Sequence, residues 1–382
     1  MCHVQTVHSQ VIATRQKSPI EIYSNRLEPF CQERNLRMYN KKLKKTMLLG
    51  EWAEFWYETY AKPYLKTSTL VSYNGYINNH IKPYIGNIRL CDINASILQQ
   101  FFNDRYKHGN CREYGNFKGS GLSAKTLHNM RNMLHEMIDD ALKNNLVVCN
   151  YVETIRLPKL TKNEHRILTP KEEARLIGHI MALDDQFAFA VLLCLSTGMR
   201  LGELCGLQWA DFIHESESRI IIKVQRTVQR IRDLERGHGT YISVGTPKTH
   251  TGIREIPLSK AILPELEKHY KRQESNLGKL YVRGKNYVFS RIPGVPIEPK
   301  LMRKHYKRLL AESCISETTF HALRHTFATR AMETGVDCKV LSTIIGHANV
   351  ATTMNMYQHV SMAEKRKAIE KVMDFDWEDD DE

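Results

Sequence analysis

The 382-residue chain has no long apolar run, no CxxC pair and no low-complexity stretch outside its last nine residues. Its longest uncharged apolar run, Phe187 to Leu195, is far short of the roughly 18 residues that a membrane span needs. Met1 to Arg15 has no basic start followed by a long apolar stretch, so neither a secretory signal nor a membrane partner is expected. Nine cysteines are scattered, the closest being Cys194 and Cys205. That excludes a zinc cage or a disulfide scaffold and reads as reduced, mostly buried thiols of a cytoplasmic protein. Several catalytic signatures are missing too. There is no Gly-x-Ser-x-Gly elbow. Gly278 to Lys285 resembles a phosphate loop, but the glycines are spaced one residue too far apart and Asn286 stands where Ser or Thr would bind magnesium. His321 and His325 have the spacing of a zinc protease, yet Ala322 replaces the general-base Glu.

What is present is positive charge and enough apolar material for real cores. With 42% hydrophobic and 25% charged residues, the chain is long enough for two or three globular domains. The net charge is +13, although the tail Asp374 to Glu382 alone holds seven acids; without that tail the chain carries +20. A body this basic points to a nucleic-acid partner, nucleoid-associated inside the cell. An anionic membrane surface fits less well, because no basic amphipathic helix with an aromatic face stands out.

The periodicity divides the chain. Residues 1–45 are a basic extension ending in Lys41-Lys42-Leu43-Lys44-Lys45, either a DNA-contacting element or a solvated helix end. From Met47, helical spacing predicts four helices within residues 46–156. The first carries Leu49, Trp52, Phe55, Trp56 and Tyr60 and stops at Lys62-Pro63. The second runs from Thr67 and is stopped by Pro83 and Gly86; the third covers Asn94 to Tyr106 and the fourth Ser123 to Asn144, with Gly109 to Gly121 a loop. The aromatic stripe is core before it is a base-stacking surface. Residues 157–166, with Lys159, Lys162, His165 and Arg166 against Glu164, read as a linker. Thr169-Pro170 starts a second, mainly helical domain over 167–373, in which Arg219 to Ile231, Tyr241 to Val244 and Ile253 to Pro257 predict a small antiparallel sheet. Residues 374–382 are the acidic tail. The fold class is therefore mainly α: an all-α domain followed by a mixed α/β domain, helical with a small antiparallel sheet.

The remaining candidates for chemistry are phosphate-seeking groups. Arg200 follows a glycine turn in Ser196-Thr197-Gly198-Met199-Arg200-Leu201-Gly202-Glu203-Leu204, with Glu203 placed to hold it. His321 and Arg324 share a helical face in His321-Ala322-Leu323-Arg324-His325, His347 follows Gly346, and Tyr357 lies ten residues beyond His347. Two arginines can grip a phosphate and stabilise a five-coordinate phosphorane, and a Tyr hydroxyl can attack phosphorus. Taken singly, each residue is more commonly structural. Their order and spacing carry the weight.

In that order the motifs TGMRLGEL, HALRH and IIGHANVATTMNMYQHV resemble the signature boxes of the tyrosine recombinases, the phage-type integrase family, most closely those of phages and conjugative transposons. The likeness spans roughly residues 46–373. It implies a core-binding, SAM-like all-α domain over 46–156 and a catalytic domain over 167–373 that together clamp double-stranded DNA. It also implies cleavage through a 3′-phosphotyrosine without ATP, metal or other cofactor. Tyr357 matches the nucleophile, Arg200 and Arg324 the phosphate-binding arginines, His321 the proton-transfer histidine and His347 the phosphate-bonding one. Lys248, in Thr246-Pro247-Lys248-Thr249, matches the hairpin lysine that protonates the leaving oxygen better than Lys223 or Lys260 does. Glu203 matches the acid supporting the first arginine.

The resemblance further implies a monomer in solution that becomes a homotetramer in the synaptic complex, with Ser361 to Met373 docking on a neighbouring protomer. An excision factor and a host DNA-bending protein are candidate partners. The N-terminal 45 residues are shorter than a usual arm-site domain, so arm-site binding is an open expectation. The basic extension and the 109–121 insertion make the chain longer than a chromosome-dimer resolvase needs, which favours a mobile element. Two alternatives are a type IB topoisomerase-like relaxase and a non-enzymatic DNA-binding regulator on the same fold.

Overall fold

The computed structural model describes residues 43–109, 121–160, 166–247, 250–278, 286–351, and singly 354 and 366. The basic extension before residue 43, Lys248, Tyr357, the expected docking segment (apart from the helical Arg366) and the acidic tail lie outside the described residues. The chain divides into two compact units, Met1–Thr161 and Lys162–Glu382.

The first unit is all-α: α1 (Leu49–Trp56), α2 (Thr67–Tyr76), α3 (Lys82–Ile85), α4 (Ala95–His108) and α5 (Ala124–Lys143). Asn94 caps α4 by accepting from the Ile97 amide at 3.0 Å, and Ser123 caps α5 by accepting from Thr126 at 3.2 Å. The aromatic stripe is core. Trp52 and Trp56 are fully buried, and their indole N–H groups donate to the Met137 carbonyl (3.0 Å) and Asp140 Oδ2 (2.8 Å), tying α1 to α5. Pro83 does not stop the second helix as expected. The chain widens into a π turn over Ile77–Ile81 and continues as α3 until Gly86. Pro63 is likewise preceded by a π turn, Tyr57–Ala61, with Lys62 N–H reaching the Tyr57 carbonyl at 2.9 Å. Widening the turn ahead of a proline relieves the clash of its ring with the preceding carbonyls.

The second unit contains α6 (Pro170–Met181), α7 (Gln186–Thr197), α8 (Leu201–Cys205), five strands, then α9 (Leu263–Leu277), α10 (Pro299–Glu312), α11 (His321–Glu333) and α12 (Cys338–Ile345). Helix α6 begins with a reciprocal cap: Thr169 Oγ1 accepts from the Glu172 amide (3.3 Å) and Glu172 Oε2 accepts from the Thr169 amide (2.9 Å). The apolar run Phe187 to Leu195 is almost entirely buried because α7 is central, packing against α6, α9, α10 and α11.

Where one small sheet was expected there are two. Strands β1 (Phe212–Ser216), β2 (Arg219–Val224) and β5 (Arg254–Pro257) form an antiparallel sheet with Ile222 between Phe212 and Ile256. Among the described residues, strands β3 (Thr227–Arg232) and β4 (Thr240–Gly245) pair only with each other. The β-branched run from Arg219 breaks at Gln225-Arg226, because both side chains turn to buried Asp211: Gln225 Nε2 donates to Oδ1 at 2.7 Å and Arg226 Nη2 to both oxygens at 2.5 Å. Strand β1 has only Phe212 buried, so it lacked an alternation that would reveal it.

The thiols also differ from expectation. Of six described cysteines, all free, only Cys194 and Cys205 are buried, whereas Cys91, Cys149 and Cys314 are exposed. Cys314 sits past the end of α10 with φ 53°, a left-handed position determined by the helix end rather than by apolar packing.

Buried His269 on α9 makes a pH prediction. Its Nε2–H donates to the Val288 carbonyl (2.7 Å) while its Nδ1 accepts from Arg272 Nη2 (2.6 Å), so the ring must be neutral. Burial pushes its pKa down to about 4. A depressed histidine stabilises the fold fully above its unfolded pKa near 6.5, and the contribution is lost as pH falls toward 4, up to about 3 kcal/mol. Melting temperatures measured from pH 7 to 4 are expected to fall across that window, and less steeply in His269→Gln.

Candidate active site

Arg200 is presented by a helix-to-helix corner. Helix α7 ends at Gly198, whose φ of +63° is left-handed; a Cβ there would lie 2.5 Å from the Phe327 ring, so glycine is required by both conformation and space. Arg200 then precedes α8, whose third residue, Glu203, reaches back: Oε2 accepts from the Arg200 amide (3.0 Å) and Oε1 from Arg200 Nη1 (2.8 Å). Arg200 Nη2 donates to the Gly346 carbonyl at 2.7 Å. The support expected of Glu203 is therefore direct.

Arg324 lies on α11, almost fully buried. Its Nη1 donates to the Gly198 carbonyl (2.8 Å), and its Nη2 is buried with no hydrogen-bond partner among the described residues. Burial, then the charge of Arg200, pushes its pKa down to about 9. It is still a cation at neutral pH, held without a carboxylate hydrogen-bonded to it. His321 opens the same helix, its ring edge-on to that of His325 at 4.6 Å. His347 follows Gly346, the left-handed residue (φ +68°) that ends α12. Burial, then Arg324 and Arg200, then His325 and His321, push its pKa down to about 4, so it is neutral at pH 7. These mutual perturbations place Arg200, Arg324, His321 and His347 in one electrostatic neighbourhood.

Lys248 and Tyr357 belong to segments outside the described residues. The return limb of the Lys248 loop does reach the site: a Cβ on Gly346 would lie 2.9 Å from the Thr251 carbonyl oxygen. The rejected lysines are elsewhere. Lys223 is exposed on β2 opposite Glu255, and Lys260 is exposed in the turn before α9. Among the described residues no cluster of three or more His, Cys, Asp or Glu could hold a metal ion.

Sequence reading missed Arg254. It is a buried arginine on β5 whose Nη2 donates to Glu203 Oε2 (2.9 Å), Nε to the Ile344 carbonyl (2.5 Å) and Nη1 to the Gly252 carbonyl (3.2 Å). The available signal was strand alternation. Arg254 shares the inward face of β5 with Ile256, and an inward arginine demands a buried acid.

A cleft of about 430 Å³ opens beside His321, lined by Leu201, Arg303, Tyr306, Lys307 and Thr318. The outer face of α10 exposes Lys300, Arg303, Lys304, Lys307 and Arg308. Lys307 pairs with Glu317, and Arg308 with Asp185 and Glu312; the other three make no ion pair among the described residues.

Residues 166–364, which contain this constellation, match the phage integrase family, and residues 48–105 match the N-terminal SAM-like domain of phage integrases. The chain belongs to the phage integrase family. It is a tyrosine recombinase, a site-specific enzyme that breaks and rejoins DNA. A tyrosine recombinase XerC-like protein of Caldanaerobacter subterraneus subsp. tengcongensis is 29% identical over 338 residues, 85% of this chain and 83% of that protein. The ICEBs1 integrase of Bacillus subtilis is 24% identical over 290 residues, covering 74% and 75% of the two chains. The Tn1549 transposon integrase, solved in complex with circular intermediate DNA, superposes with a TM-score of 0.66 at 22% identity, over 85% of this chain and 99% of that one. That likeness shows the shared fold: a helical N-terminal domain and a catalytic domain with a small antiparallel sheet.

Proposed function

We propose that this integrase-family enzyme acts on duplex DNA through a 3′-phosphotyrosine formed at Tyr357, and that it integrates and excises a mobile element. The observation that carries the reading is the cluster of Arg200, Arg324 and His347, in which the buried Arg324 Nη2 has no acceptor among the described residues. An incoming phosphate oxygen supplies one.

The Tyr357 hydroxyl oxygen attacks the scissile phosphorus as the bond to the 5′-oxygen breaks. His321 assists the proton leaving Tyr357, and Lys248 gives a proton to the departing 5′-oxygen. Arg200 and Arg324 offset the charge that builds on the non-bridging oxygens, where neutral His347 donates a further hydrogen bond. The 5′-hydroxyl of the partner strand then attacks the phosphotyrosine and releases Tyr357. Each phosphodiester broken is replaced by another, so no ATP is needed. Strand exchange takes place in a homotetramer on two duplexes.

The test is a nicked suicide duplex bearing the element's end sequence. The parent enzyme is expected to accumulate a covalent protein–DNA adduct, with EDTA present, and mass spectrometry should map the DNA to Tyr357. Linkage to another residue, or an absolute need for a divalent ion in cleavage, would overturn the mechanism. Site-independent relaxation of plasmids would favour the topoisomerase-like reading instead.

The +20 body and the α10 bases Lys300, Arg303 and Lys304, which make no ion pair among the described residues, also predict steep salt dependence. Each phosphate neutralised contributes a slope of about −0.9 to log K against log salt, so six or more contacts weaken binding about 10³-fold between 50 and 200 mM. Fluorescence anisotropy on the target duplex checks this; a nearly flat response is the contrary result.

A further inference from the structure

Arg200 and Glu203 form an ion pair, and an ion pair is a poor phosphate receptor because its charges cancel. Glu203 is nearly fully buried. Burial alone would raise its pKa, but the hydrogen bond and charge of Arg254, with the charge of Arg200, outweigh it and hold the carboxyl below the usual range. Glu203 is therefore ionised, and one carboxylate serves two guanidiniums: Oε1 takes Arg200 Nη1, and Oε2 takes the Arg200 amide and Arg254 Nη2. The three side chains together carry one net positive charge; without Arg254 they would carry none.

Arg254 cannot be the group that touches DNA. Its three nitrogens are already donated, to Glu203, Ile344 and Gly252, whereas Arg324 keeps an Nη2 with no partner among the described residues and the Arg200 side chain is 37% exposed. The grips on α12 are also paired. Arg254 holds the Ile344 carbonyl and Arg200 the Gly346 carbonyl, two of the last three before His347, at the negative end of that helix. Three elements far apart in the chain, α8, β5 and the turn after α12, are thereby held together around one carboxylate.

We propose that Arg254 is a positioning residue for strand cleavage: by sharing Glu203 it leaves the charge of Arg200 available to the scissile phosphate, and by holding Ile344 it sets the turn that carries His347. This rests on the phosphotyrosine reading above, and the parent enzyme's adduct on suicide DNA is the control that separates the two. With no parental adduct the cleavage mechanism itself fails. With a parental adduct, the variants below test Arg254 alone.

Arg254→Gln is expected to bind duplex DNA within about 3-fold of the parent, measured in a Tyr357→Phe background, yet to form adduct at saturating DNA at least about 30-fold more slowly. Adding Glu203→Gln removes the carboxylate that then cancels Arg200, and is expected to recover at least about 10-fold of that rate. A purely structural role for Arg254 predicts the reverse, since the double variant loses still more buried hydrogen bonds. Parental cleavage by Arg254→Gln would overturn the proposal. So would a double variant that melts cooperatively but cleaves no faster than Arg254→Gln. Should Arg254→Gln fail to fold, Arg254→Lys is read in its place: it keeps the charge beside Glu203, but one ammonium cannot span Glu203, Ile344 and Gly252, so a folded Lys variant should cleave about 5- to 30-fold more slowly than the parent, and parental cleavage by it would overturn the proposal.

Discussion

Arg324→Met should cleave suicide DNA about 10²–10³-fold more slowly than the parent while melting no lower. The two halves of that expectation have one cause. Arg324 is a cation taken out of water with one carbonyl for company, and burial and Arg200 lower its pKa to about 9. A base whose folded pKa is depressed destabilises the fold wherever it is protonated there, which covers all of neutral pH. At about 1.4 kcal/mol per pK unit the penalty amounts to several kcal/mol. An unbranched apolar side chain of similar length fills the space without it, so stability should hold or rise. In the proposed mechanism an arriving phosphate oxygen recovers that unpaid solvation. The penalty thus reflects preorganisation for an anion. Differential scanning calorimetry beside a single-turnover adduct assay checks both halves. A variant that loses stability and cleavage together would show Arg324 to be merely structural.

Lys248→Ala should show a defect of a different kind, large with ordinary DNA and largely erased when the scissile 5′-oxygen is replaced by sulfur. A thiolate leaves without a proton, whereas an alkoxide does not, so only the general acid becomes dispensable. Tyr357→Phe should form no adduct on either substrate, because the ring remains and the attacking oxygen is gone. Arg200→Ala should also gain little, since charge on the non-bridging oxygens must still be offset. The comparison is read as adduct formed on oxygen and sulfur substrates by each variant. Equal rescue of all three would remove Lys248 from the role of proton donor, and a single lysine elsewhere that gave selective rescue would take its place.

Some of this could be read in the chain directly because the relevant physics is local. Helical spacing of Leu49, Trp52 and Trp56 announces a buried face, and Ser123, Asn94 and Thr169 cap helices by accepting from amides three residues on. Glu203 reaches Arg200 across a single helical turn, and His321 and Arg324 lie one turn apart on one helix, so both placements are written in the spacing. The order of TGMRLGEL, HALRH and the GH box before Tyr357 pointed to the family that the match over residues 166–364 shows.

Tertiary structure decided what depends on partners distant in sequence. Arg254 meets Glu203 across 51 residues and Ile344 across 90, and no local pattern encodes either. The division of the β-branched run into two sheets was decided by buried Asp211, which draws Gln225 and Arg226 out of the strand. Pro63 and Pro83 both read as helix stops and each is preceded by a π turn, but only at Pro63 does the helix end; the chain carries α3 past Pro83. The charge state of the site follows the same rule. A guanidinium or an imidazole has its ordinary pKa in the sequence, and only burial beside other cations lowers that of Arg324 to about 9 and makes His347 neutral.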